Sequence, residues 1–254
     1  VGLLGGTFDP IHVGHLAAAR AAHHALQLDT VRFIPAARPP HRPDSPGAGE
    51  YHRVEMVRRA IADVAGWEVS DLEVRRHGPS YTWDTLVSLH ALGLASLQIF
   101  FITGADAFAE IATWHRYPDV LDAAHFVVIT RPGVSLDVVR ERVPSLVPRM
   151  IRPEDVGAAD TPRIIPVESN TPDVSATEIR ARVAAGEPIT HLVPPAVAAY
   201  IHEHRLYQAT ADVAPDAPGA PEAPSAPGAP SATSAPSAPS APSAPSAPRK
   251  PPGE

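Results

Sequence analysis

Six short apolar runs, VGLL (1–4), VRFIP (31–35), WEVSDLEVRR (67–76), LQIFFITG (97–104), HFVVITRPG (125–133) and RIIPV (163–167), alternate with stretches of helical composition. Runs this short and this continuously apolar suit strands covered on both faces, the condition of a parallel sheet flanked by helices. The alternation predicts an α/β domain: a Rossmann-like, doubly wound, mostly parallel sheet that ends in C-terminal helices. Helices are expected at 15–28, 50–65, 82–92 with Thr82 at or near the N-cap, 135–142, 175–185 and 195–204. The segment 36–49 is too rich in Pro and Gly for either regular element, and a loop of that length in a compact domain often serves function. In such sheets ligands gather at the carboxyl ends of the strands.

That pattern stops near residue 208. From Ala209 the chain is almost entirely Ala, Pro, Ser and Gly, with Ser-Ala-Pro repeated from Ser234 to Pro248. So little apolar surface cannot offset the entropy of ordering, so 209–254 is expected to be a disordered, partly polyproline-II, Ala/Pro/Ser-rich tail. Residues 1–208 then form one domain with room for a substantial core. The formal charge is −7, and the tail's four acids and two bases supply −2 of it. An acidic domain argues against non-specific nucleic-acid binding. No run approaches the ~18 apolar residues of a membrane span, and no basic-then-apolar leader opens the chain. The absence of cysteine excludes disulfides and thiolate metal sites. A cytoplasmic protein without nucleic-acid or membrane partners is expected.

Chemistry concentrates first in LGGTFDPIHVGHLAAAR (4–20). Gly5 and Gly6 end a strand without side chains, so a ligand can approach the backbone, and the next helix offers unpaired N–H groups and a positive dipole end. That is a phosphate-binding geometry, although the dinucleotide spacing G-x-G-x-x-G is absent. His12 and His15 flank Gly14 at the helix entrance, where each imidazole can donate to a phosphate oxygen. The same residues also fit a plain turn with two surface histidines, or a histidine pair on a cation whose third ligand is not evident. His23, His24 and His90 read as helix-surface residues.

GGTFDPIHVGHL is similar to the signature of the nucleotidyltransferases whose H-x-G-H element grips ATP phosphates, and VSATEIR (174–180) resembles that superfamily's closing I-S-S-T-x-I-R motif. The resemblance implies that His12, His15 and Arg180 act on the triphosphate. It places Gly5, Gly6, Thr7, Phe8, Gly14, Gly104, Asp106, Ser175 and Thr177 in the ATP site, with Asp106 on the ribose. Ala176 stands where the broader motif has a second serine.

The middle of the chain bears on the acceptor. EVRRHGPSYTWDTL (73–86), FITGADAFAEIATWHRYPDVLDAAHFVVITRPG (101–133) and RARVAAGEPITHLVPPAVAAYIHEHRLY (180–207) resemble the bacterial nicotinate-mononucleotide adenylyltransferases. That resemblance implies transfer of the adenylyl group of ATP to nicotinate mononucleotide, giving nicotinate adenine dinucleotide and pyrophosphate in NAD biosynthesis. His41, Arg42, Tyr81, Thr82, Trp114 and Arg131 would then hold the mononucleotide. A flat, electron-poor pyridine suits Trp114, and its carboxylate suits the amides around Tyr81 and Thr82. Arg42 stands where the family commonly has Lys, in a chain whose only lysine is Lys250. Mg²⁺ is expected to arrive with ATP rather than in a protein cage, and a homo-oligomer is allowed. The alternatives are an enzyme for nicotinamide mononucleotide or another phosphate acceptor, and a non-catalytic nucleotide-binding module.

Overall fold

The computed structural model describes residues 1–39, 47–76, 78–130, 136–170 and 172–208. Its centre is one sheet of six parallel strands: β1 (Gly2–Gly6), β2 (Val31–Pro35), β3 (Trp67–Val69), β4 (Phe100–Gly104), β5 (His125–Thr130) and β6 (Ile164–Glu168). They lie in the order β3-β2-β1-β4-β5-β6. The chain winds outward from β1 to one edge, returns to β4 beside β1, and winds to the other edge. The order reverses between β1 and β4, and a crevice opens there beyond their carboxyl ends.

Side chains alternate across the sheet with period two, which divides the core into two layers. Leu4, Ile102, Val127 and Ile165 pack with the helices α1 (Val13–Leu26), α2 (Glu50–Ile61), α7 (Ala176–Ala184) and α8 (Pro195–Glu203). Leu3, Phe101, Phe126 and Val128 face α4 (Thr82–Ala91), α5 (Ala105–Ala109) and α6 (Leu136–Arg142). Each fully buried Leu, Ile or Phe contributes about 1.5–3 kcal/mol over its exposed state. In α1 the residues turned to the sheet include Ala19 and Ala22, both fully buried, so the helix lies close over β1. Its N-terminus therefore meets the crevice. Among the described residues no helix is long and apolar enough to cross a membrane.

Three segments depart from the sequence reading. The run 67–76 is a strand only over Trp67–Val69 and then turns into the short helix α3 (Leu72–Arg75). The Ser70 hydroxyl accepts from the Leu72 amide and Arg75 N–H returns to the Asp71 carbonyl, so polar residues at 70 and 71 start a turn inside an apolar pattern. Strand β4 begins at Phe100, because Ser96–Gln98 forms a 3₁₀ turn. Helix α1 starts at Val13, so His12 is its N-cap and His15 lies in its first turn.

Candidate active site

The bend between β1 and α1 is folded around its own rings. Phe8 takes a left-handed backbone (φ 50°) and buries its side chain completely, edge-on to His15 with centroids 5.0 Å apart. A Cβ on Gly6 would lie 3.0 Å from the Phe8 ring, and one on Gly14 would lie 3.0 Å from Nδ1 of His12 and 3.4 Å from the Pro172 carbonyl oxygen. Both glycines make room for neighbouring protein side chains, and Gly14 lines the crevice as well. Gly5 and Gly104 do line the crevice, a cavity of about 510 Å³ that also takes in His12, Gly14, His15 and Asp106. Apart from its chain neighbours, no atom of the described residues lies within 4 Å of where a Gly104 Cβ would stand.

His12 and His15 are stacked with centroids 3.7 Å apart. The His12 backbone N–H donates to Nδ1 of His15 (3.3 Å), so in neutral His15 the ring proton sits on Nε2 and makes that atom the ring's donor. Burial pushes the His12 pKa down to about 4, and its Nδ1 is enclosed without a hydrogen-bond partner among the described residues. His12 is therefore a neutral imidazole at pH 7.

Across the crevice Pro172 and Val174 lead into α7. Ser175 is its N-cap, with Oγ accepting from the Glu178 amide (3.1 Å). Thr177 and Ser175 are exposed at that helix start and do not line the cavity. The Arg180 guanidinium donates to Thr177 Oγ1 (3.2 Å) and to the Asp9 carbonyl oxygen (2.8 Å). Thr7 offers its carbonyl oxygen to Arg53 (2.7 Å) and does not line the cavity.

A second cavity of about 440 Å³ adjoins the first, with Ala107 in the wall of both. Ser80, Tyr81, Thr82, Trp114 and His115 line it. Tyr81 is the N-cap of α4, so the amides of the first turn stand at the cavity. Trp114 is half-buried, edge-on to Phe101 (6.0 Å) and Phe126 (6.2 Å), so its inner edge belongs to the core while it also walls the cavity. The two readings of that residue are thus not exclusive. His41, Arg42 and Arg131 lie outside the described residues.

Sequence reasoning missed several residues. His115 stacks on Tyr81 (4.4 Å) at the second cavity. Beneath it, Glu73 is buried and accepts from the Thr85 hydroxyl; burial pushes its carboxyl pKa up, partly offset by hydrogen bonds from Thr85 and Ser80. Ser80 Oγ accepts in turn from the amides of Ala37 (2.9 Å) and Arg38 (3.2 Å). Arg53, fully buried in α2, donates to the carbonyls of Thr7 (2.7 Å), Ala36 (2.6 Å) and Ala48 (3.2 Å), pinning both described ends of the 36–49 segment to the bend. Nor are His23 and His90 mere surface groups. Trp67 Nε1 donates to His23 (2.9 Å), and the His90 ring spans the carbonyls of Leu94 and Ala123. Among the described residues no group of three His, Asp or Glu is placed to hold a metal ion.

Residues 3–182 match the cytidylyltransferase-like family. A protein of Desulfitobacterium hafniense named "probable nicotinate-nucleotide adenylyltransferase" is 42% identical over 212 residues, covering 82% of this chain and 95% of the relative. A Roseiflexus protein of the same name is 44% identical over 210 residues, covering 82% and 98%. The chain belongs to the nicotinate-nucleotide adenylyltransferase family. Within that family's fold, a solved structure titled as Plasmodium falciparum nicotinic acid mononucleotide adenylyltransferase complexed with NaAD superposes with TM-score 0.62 at 16% identity, over 81% of this chain and 96% of that one. Adenylyltransferase relatives and the switch-point crevice thus meet in one chain.

Proposed function

We propose that this protein transfers the adenylyl group of ATP to nicotinate mononucleotide, forming nicotinate adenine dinucleotide and pyrophosphate in NAD biosynthesis. One observation carries the reading: two adjoining cavities share the Ala107 wall, one ending on the stacked histidines at the α1 N-terminus, the other on Trp114 and the α4 N-terminus. A dinucleotide product needs two such neighbouring sites. The curated relatives' names support the same acceptor.

In this reaction the 5′-phosphate oxygen of the mononucleotide attacks the α-phosphorus of ATP, and the bond from that phosphorus to the bridging oxygen of pyrophosphate breaks. The attacking phosphate is already ionised near neutral pH, so no residue has to remove a proton. The protein's part is alignment and charge stabilisation. His15 donates from Nε2 to a phosphate oxygen at the bend, and neutral His12 adds a hydrogen bond rather than a charge. The α1 N-terminus contributes its dipole, and Arg180 supplies the fixed positive charge on the leaving pyrophosphate. Asp106 at the first cavity suits the ribose hydroxyls. Across the Ala107 wall, the Tyr81 and Thr82 amides and the Trp114 ring hold the pyridine and its carboxylate. Among the described residues Asp106 is the one carboxylate on the crevice wall, so a magnesium ion arriving with ATP would be held chiefly by the nucleotide and would supply positive charge against its phosphates.

Pyrophosphate release from ATP and Mg²⁺ tests the reading across nicotinate mononucleotide, nicotinamide mononucleotide and phosphopantetheine. The expected result is fastest release with the first. A faster reaction with another acceptor would reassign the second cavity, and no release with any would leave a nucleotide-binding module.

A further inference from the structure

Tyr207 reaches back 198 residues to the bend, where its hydroxyl donates to Oδ1 of Asp9 (2.8 Å). Asp9 is 2% exposed. Its Oδ1 also accepts from the Ala48 amide (3.0 Å), and its Oδ2 accepts from the Gly47 amide (2.8 Å). Arg180 stands beside this carboxylate, but its Nη1 is 3.6 Å from Oδ2 and donates instead to the Asp9 backbone carbonyl (2.8 Å). A guanidinium next to a carboxylate with open lone pairs closes a two-pronged pair at about 2.7–2.9 Å. Here three donors, two on Oδ1 and one on Oδ2, hold the carboxylate in place, and the pair with Arg180 stays loose. Tyr207 holds a left-handed backbone (φ 61°) to make this contact, a conformation that costs a non-glycine residue on the order of 1 kcal/mol. Gly47 is pinched in the same knot: a Cβ there would lie 3.1 Å from the Tyr207 ring and 3.2 Å from Cδ of Arg180.

We propose that Tyr207 is a positioning residue for Arg180: with the Gly47 and Ala48 amides, its hydroxyl fixes the Asp9 carboxylate in an orientation that leaves Oδ2 short of the guanidinium, and so keeps Arg180 available to an anionic phosphate. The inference rests on the reading of Arg180 as part of the triphosphate grip. Without the hydroxyl, the carboxylate is free to turn and close on Arg180, and ATP loses a charge-assisted partner. The mononucleotide cavity is untouched.

The test is a double-mutant cycle on the full chain, with thermal unfolding as the control for folding. Tyr207→Phe keeps the ring and is expected to raise KM for ATP about tenfold, the scale of one weakened charge-assisted contact, while KM for nicotinate mononucleotide changes less than about twofold. Gly47→Ala, which pushes the Tyr207 ring and the Arg180 stem apart, should shift ATP in the same direction. In an Arg180→Ala background Tyr207→Phe should add nothing. An additive effect there, or an unchanged ATP KM for Tyr207→Phe where Arg180→Ala does weaken ATP, overturns the positioning role alone. An unchanged ATP KM for Arg180→Ala overturns the assignment of Arg180 itself.

Discussion

Of the two imidazoles stacked 3.7 Å apart, His12 is kept uncharged by its burial, which lowers its pKa to about 4. A folded pKa below the ordinary value of about 6.5 means that the unfolded chain takes up the proton first. The His12 contribution to stability is therefore complete above about pH 6.5, shrinks as pH falls toward about 4, and is worth at most about 3 kcal/mol. Chemical denaturation of the wild type and His12→Asn at pH 7.5 and 4.5 checks this. The gap in unfolding free energy between the two pH values should be smaller in the variant, and an equal gap refutes the assignment. His15 is the partner with a defined donor, so His15→Ala should lower kcat by about 10²–10³, the range for losing one donor to developing charge. Its thermal midpoint should stay close to wild type, and near-normal turnover would remove His15 from the phosphate grip. The pair was legible in the sequence because histidines three apart behind a glycine bend share one helix turn. The neutral state of His12 was not, because it depends on the enclosure that Gly14 permits.

At the level of elements, the 3₁₀ turn Ile111–Thr113 after α5 sets Trp114 between core and cavity. Trp114→Ala should raise KM for nicotinate mononucleotide at least about tenfold with little change for ATP, and lower the thermal midpoint as its edge leaves Phe101 and Phe126, a cost on the order of 2 kcal/mol for a half-buried aromatic. Trp114→Phe should recover most of the midpoint and part of the KM. Equal effects of Trp114→Ala on both substrates would assign the residue to the core only. Strands β1, β2 and β4 to β6 were legible because parallel strands are apolar on both faces. α3 was not, because Leu72 and Val74 alternate with charged residues as a strand would, while Glu73 turns inward to Thr85. Arg53 was missed for a related reason. It reads as one more charge in a polar helix, yet three backbone carbonyls draw it fully inside.

Over the whole molecule the sheet order decides where chemistry can occur, and the chain's far end decides how that place is held. The alternation of apolar runs predicted the doubly wound sheet with its ligand site at the strands' carboxyl ends, since each rests on local pattern plus the handedness of parallel crossovers. The Asp9–Tyr207 contact had no local signal: it joins residues 198 apart, and each is a polar residue inside a stretch that resembles the family, with no role implied for it. That contact sets where the chain can be shortened. Truncation after Gln208 leaves Tyr207 and its bond to Asp9 in place, and should preserve the thermal midpoint, kcat and both KM values. Truncation after Leu206, two residues shorter, removes the ring and the hydroxyl together. It should raise KM for ATP at least as much as Tyr207→Phe does, and lower the midpoint, because Asp9 loses a donor in an enclosed site. If the two truncations behave alike in the pyrophosphate assay, the far end of the domain has no hold on the phosphate site, and Asp9 is organised by the Gly47 and Ala48 amides alone.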